Sequence, residues 1–179
     1  MNVLLKNVII TDGASPYHLQ EQDILIKNGI IQQIEKNISV ENDEVLDGEG
    51  AFVSNGLIDI FSHFSDPGEE YRETLESGAQ TALAGGYTKV FTIANTNPVI
   101  DNKAQVSYIV EKSKTLPVRV FPLGAITRHA DGKDLSEMYD MYQAGAVAFS
   151  DGLNPVQSPG LFLKALQYVK AGDGILIQQ

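Results

Sequence analysis

The stretch "GLIDIFSHFSDPG", residues 56 to 68, marks the point at which the chain changes its architecture. Asp59, Phe61 and His63 alternate along an apolar run, and alternate side chains of a strand share one face. That face is expected to carry a carboxylate, a phenyl ring and an imidazole, in that order. A metal site would want a second imidazole where Phe61 stands. The stretch therefore poses a choice between a site that works with a single histidine and one that has lost its chemistry.

Upstream of it, "VLLKNVII" (3–10), "DILIKNG" (23–29), "IIQQIEKN" (30–37) and "EVLDGEG" (44–50) are short runs rich in Val, Ile and Leu, separated by Gly, Asn and Asp. They predict strands joined by tight turns, with Asn28-Gly29 a strong hairpin signal. Residues 1–53 are thus expected to form a small β-meander.

Downstream, strand-like runs "GLIDIF" (56–61), "KVFTIAN" (89–95), "VRVFPLGA" (118–125), "AVAFS" (146–150) and "GILIQQ" (174–179) alternate with helical patterns. The helical stretches are "ETLESGAQTALAGG" (73–86), "NKAQVSYIVEKSKT" (102–115), "DLSEMYDMYQAG" (134–145) and "SPGLFLKALQYVKAG" (158–172). A strand-helix repeat of about 30 residues with short connections implies a parallel sheet with helices on its outside. An open doubly wound sheet and a barrel both fit. A (β/α)₈ barrel needs about 250 residues, so on the barrel reading residues 54–179 supply only the first half, and the sequence is expected to be a fragment.

Composition narrows the function classes. The formal net charge of -10 comes with no basic run, which argues against nucleic acid and anionic membranes as partners. Cysteine is absent, removing disulfides, thiolate nucleophiles and cysteine-ligated zinc together. The start "MNVLLKNVII" lacks the pattern of a signal peptide, and no apolar run approaches the length of a membrane span. A cytoplasmic address is the expectation.

In parallel α/β folds, functional residues gather at the carboxyl ends of the strands. Those ends read "IFSHFSDPG", "IANTNP", "LGAITRHADG" and "FSDGLNP". Singly they are weak: "NTNP" is as readily a turn, Asp151 a turn or capping residue, and His129 plain surface. His18 lies in a polar loop and is assigned no role.

Together, they resemble the dihydroorotases of the amidohydrolase superfamily. "GLIDIFSHFSDPG" matches that family's G-L-I-D-x-H-x-H-F-R-x-P-G without a gap. "NTNP" (95–98) matches its N-T-x-P, and "AFSDGLNPV" (148–156) resembles its A-F-S-D-D-G-x-P-V. The resemblance covers essentially the whole chain. It implies the first half of an amidohydrolase-type TIM barrel, preceded by the N-terminal part of a small β-sandwich. It also implies a zinc-dependent cyclic amidase chemistry that opens or closes dihydroorotate.

The departures fall on functional positions. Phe61 takes the place of the first zinc-binding histidine, and only His63 keeps the second. Ser65 stands where an arginine grips the substrate carboxylate. Asp151 is retained as an acid of the fourth strand, but Gly152 replaces the acid after it. Gln178 stands where a fifth-strand histidine belongs. Asn95 matches the asparagine that contacts the substrate carboxylate.

Catalytic zinc usually takes three protein ligands, and His63 and Asp151 are only two. The expectation is therefore a dihydroorotase-like protein of pyrimidine biosynthesis without dihydroorotase activity and without a cofactor of its own. The family context implies a structural role beside aspartate transcarbamoylase, and open sheet edges would also suit pairing with another copy of the chain. The alternative is an active amidohydrolase with an altered single-zinc site, acting on another cyclic amide or imide.

Overall fold

A computed structural model describes residues 2–41 and 44–178. The chain divides into two compact units, residues 1–55 and 56–179.

The first unit is a five-stranded sheet built on β1 (Asn2–Ile10). β2 (Glu21–Lys27) and β3 (Ile30–Glu35) follow as an antiparallel hairpin. Asn28 and Gly29 form its turn at φ 53 and 75, the left-handed pair a two-residue turn of this hand requires. The rest of the unit departs from a meander. β4 (Glu44–Asp47) and β5 (Phe52–Val53) return parallel to β1. Asp23 supplies a physical reason: its buried carboxylate accepts the Asn7 N–H at 3.0 Å and the Ile38 N–H at 2.9 Å. The chain leaving the hairpin is thereby held at β1 before β4 begins.

The second unit is a curled parallel sheet in the order β6 (Leu57–Ser62), β7 (Tyr87–Thr92), β8 (Arg119–Gly124) and β9 (Ala148–Phe149). Helices α1 (Leu75–Ala84), α2 (Lys103–Ser113), α3 (Met138–Gln143) and α4 (Pro159–Val169) connect and follow the strands. Local chemistry sets where they start. Thr74 and Ser77 form a reciprocal capping box on α1. The Asn102 side chain accepts from Ala104 and Gln105 at the start of α2. Ser158 caps α4, with Pro159 in its first turn.

Alternation along the strands sends side chains to two layers. Val90, Val120 and Ile126 join Leu75, Ala79, Val106, Ile109, Met138 and Met141 in the core between sheet and helices. On the opposite face Ile93, Leu123 and Ala148 pack with Phe61, Phe91 and Ile177. The Phe91 and Phe121 rings meet there at 5.4 Å.

Two elements are shorter than the pattern predicts. α3 starts at Met138 rather than Asp134, because Leu135 bridges to Thr127 and the Ser136 hydroxyl donates to the Ala125 carbonyl at 2.6 Å. These ties to the end of β8 hold residues 135–136 out of the helix. The expected fifth strand "GILIQQ" is a single parallel bridge from Phe149 to Leu176, and its last residue, Gln179, lies outside the described residues.

Candidate functional site

Parallel strands bring their carboxyl ends to one rim, and the candidate residues lie along it. The expectation that Asp59, Phe61 and His63 share a face does not hold. The register between β6 and β7 shifts between Asp59 and Ser62. Past this irregularity strict alternation no longer applies. Asp59 accepts the Phe61 N–H at 2.9 Å and the Ser62 hydroxyl at 2.6 Å. It lines a groove against α1 with Ser62, Phe64 and Gly78. Phe61 turns instead into the apolar layer beside Ile93 and Leu123.

His63 follows the end of β6, half-buried, with its Nε2 2.8 Å from the backbone carbonyl oxygen of Asn95. A carbonyl only accepts, so Nε2 carries the hydrogen and, in the neutral ring, the lone pair belongs to Nδ1. Asn95 in turn donates from Nδ2 to the Asp151 carbonyl at 3.1 Å and accepts the Leu153 N–H on Oδ1 at 3.1 Å. The Asp151 side chain, 2% exposed, accepts the Thr127 N–H at 2.8 Å on one oxygen and the Thr127 hydroxyl at 2.5 Å on the other. Burial pushes the Asp151 carboxyl above the usual carboxylate range, against the pull of those Thr127 hydrogen bonds.

Ser65 is buried in the loop after His63, where its carbonyl accepts the Glu69 N–H. Gln178 accepts the Val156 N–H on Oε1 at 3.3 Å, beside the loop that carries Asp151. The His129 backbone N–H donates to Asp101 at 2.9 Å. Its ring is exposed, 3.4 Å from the same carboxylate.

A second polar cluster, unread in the sequence, fixes the His63 loop from behind. The Asp66 carboxylate is fully enclosed and receives Lys112 Nζ at 2.7 Å, the Tyr108 hydroxyl at 2.8 Å and the Leu75 N–H at 3.0 Å. Burial alone would raise the Asp66 carboxyl, but Lys112, Leu75 and Tyr108 hold it below its ordinary value. Burial likewise opposes the Lys112 charge, and Asp66 and Tyr108 more than compensate, raising the ammonium above ordinary lysine. Tyr108 and Lys112 are four residues apart on α2, the spacing of one helix face. That spacing was the available signal.

The donor set falls short of a zinc site. His63 keeps a lone pair only on Nδ1, both Asp151 oxygens accept from Thr127, and a phenyl ring at Phe61 has no lone pair to offer. Among the described residues, no group of three His, Asp or Glu side chains could hold a metal ion. Nor is any helix among them long and apolar enough to cross a membrane.

A curled parallel sheet with outer helices and a polar rim at its carboxyl edge is the architecture of a (β/α) barrel. Among solved structures, the chain is similar to the L-hydantoinase (dihydropyrimidinase) from Arthrobacter aurescens, with a TM-score of 0.78 at 24% identity, covering 97% of this chain and 39% of that one. It is also similar to a dihydroorotase crystal structure, with a TM-score of 0.70 at 14% identity, covering 98% of this chain and 50% of that one. These likenesses show the fold.

Sequence comparison shows the family. The family model for dihydro-orotase-like proteins matches residues 50–178. The chain is 42% identical over 168 residues to the dihydroorotase of Aquifex aeolicus, covering 93% of this chain and 40% of that protein. It is 45% identical over 152 residues to that of Acetivibrio thermocellus, covering 84% and 36%. The chain belongs to the dihydroorotase family, and it spans about two fifths of the length of these curated relatives.

Proposed function

We propose that this chain is a dihydroorotase-family protein of pyrimidine biosynthesis that does not turn over dihydroorotate, and that it serves as a structural partner of aspartate transcarbamoylase. One observation carries the first part: of the two family-matched ligands, His63 keeps a lone pair only on Nδ1 and both Asp151 oxygens accept from Thr127. Phe61, in the place of the first histidine, belongs to an apolar cluster, so changing it alone leaves the donor set short of three. Ser65 in place of an arginine removes the bidentate cation suited to a carboxylate substrate. Asn95 has its amide oxygen and one amide hydrogen engaged within the protein, leaving a single N–H for any ligand. The partnership rests on the family context.

The deciding experiment is hydrolysis and ring closure of dihydroorotate by the purified protein with zinc supplied, alongside sedimentation with the aspartate transcarbamoylase of its source organism. The expected result is no turnover and a stable complex. Turnover abolished by His63→Ala would overturn the first claim, and separate sedimentation the second.

A further inference from the structure

On the rim, Asn95 touches more of its neighbours than a turn residue needs to. Its carbonyl accepts from His63 after β6, its Nδ2 donates to the Asp151 carbonyl after β9, and its Oδ1 accepts from the Leu153 N–H. Asp151 then passes the connection to Thr127 after β8. One residue in the loop after β7 therefore links the segments that follow β6 and β9, and through Asp151 the one that follows β8. The amide spans the Asp151–Leu153 turn as a neighbouring strand would, satisfying one carbonyl and one N–H two residues apart. Left unpaired, those backbone groups would cost free energy wherever they are shielded from water.

Gly152 sits at the centre of that turn at φ +60. A Cβ built there falls 1.7 Å from Asn95 Oδ1 and 2.8 Å from Asn95 Cγ. The nearest obstruction is thus the amide itself, so any side chain at 152 must drive the amide out of its hydrogen bonds.

We propose that Asn95 is a positioning residue, a polar staple joining the segments that follow β6, β7 and β9 directly to one another, and that position 152 must lack a side chain for the staple to close. This deepens the reading of the rim as a structural element and rests on it. The staple fixes His63 with its hydrogen on Nε2 and fixes the β9 turn against the β7 loop. In this chain Asn95 accordingly acts as an internal strut.

A double-mutant cycle tests the staple, with melting temperatures measured in the presence of a chelator. Asn95→Ala and Gly152→Ala are each expected to lower the melting temperature by about 4–8 °C. Both remove the same contact, so the double variant should melt well above the sum of the two losses. The remaining Gly152→Ala cost in the Asn95→Ala background should reflect only the left-handed backbone. Strict additivity, or a Gly152→Ala loss undiminished by Asn95→Ala, would overturn the proposal.

A second measurement needs no variant. Nitrogen-15 NMR of the wild-type chain should show His63 with Nε2 protonated when the ring is neutral, and a protonated Nδ1 would overturn the proposal. Stoichiometric zinc retained without chelator would instead count against the proposed function, and would leave the cycle measured in chelator unchanged.

Discussion

Replacing Lys112 by methionine isolates the cluster behind the His63 loop. Methionine keeps most of the apolar stem and deletes the ammonium, leaving the Asp66 carboxylate with Tyr108 and the Leu75 N–H. The Asp66 side chain is fully enclosed, whereas that of Lys112 is 29% exposed. Stranding one member of a fully buried ion pair costs about 3–5 kcal/mol. Solvent at Lys112 and the two remaining donors lower this, so we expect Lys112→Met to cost about 2 kcal/mol near neutral pH. The contact from Lys112 to the exposed Glu76, at 3.4 Å, adds little.

Urea unfolding followed by tyrosine fluorescence suits the measurement, because every tyrosine except Tyr17 lies in the second unit. The pH dependence gives the sign. The folded Asp66 carboxyl lies below its unfolded value, so its contribution is present above about pH 4 and is lost as the pH falls through the folded value. Without Lys112, burial moves the folded carboxyl up, and acid relieves the variant. The gap between wild type and variant should therefore narrow toward about pH 4, and Asp66→Asn in the Lys112→Met background should recover part of the loss. A cost below about 0.5 kcal/mol at neutral pH, or one unchanged in acid, would refute the reasoning.

Two further outcomes are expected. Phe61→His should confer neither zinc retention, measured by elemental analysis of the dialysed protein, nor dihydroorotate turnover. It should cost about 1–2 kcal/mol in denaturant titration, because a polar ring replaces apolar contact with Ile93 and Leu123. Thr127→Val keeps the N–H to Asp151 but deletes the hydroxyl that donates to it and accepts the Gly132 N–H at 2.9 Å, which should cost about 1–2 kcal/mol. Burial already raises the folded Asp151 carboxyl, and losing a donor raises it further. Stability then falls as pH rises through that value, so the Thr127→Val loss should be larger at pH 8 than at pH 5, as read from melting temperatures at the two pH values.

What the sequence determined by itself was local and periodic. The Asn28-Gly29 turn, the helix starts at Thr74, Asn102 and Ser158, and the alternation of strands with helices follow from residues within a few positions of each other. The family frame, carried by contiguous motifs, was legible for the same reason. The side on which Asp59 emerges was not, because a shift of register depends on the neighbouring strand. Nor was the early end of the sheet ladder at residues 174–178, where a single bridge replaces the expected strand.

The rim was the least legible part. His63 meets Asn95 across 32 positions, Asn95 meets Asp151 across 56, and Asp151 meets Thr127 across 24. The sequence named three of these four residues, as turn or capping residues or as candidates to hold a metal or a substrate, and not as partners of one another. A side chain's type fixes which hydrogen bonds it can make, while its partner is whichever group the packed sheet brings within about 3 Å. Tertiary structure alone therefore decided that the rim residues hold one another.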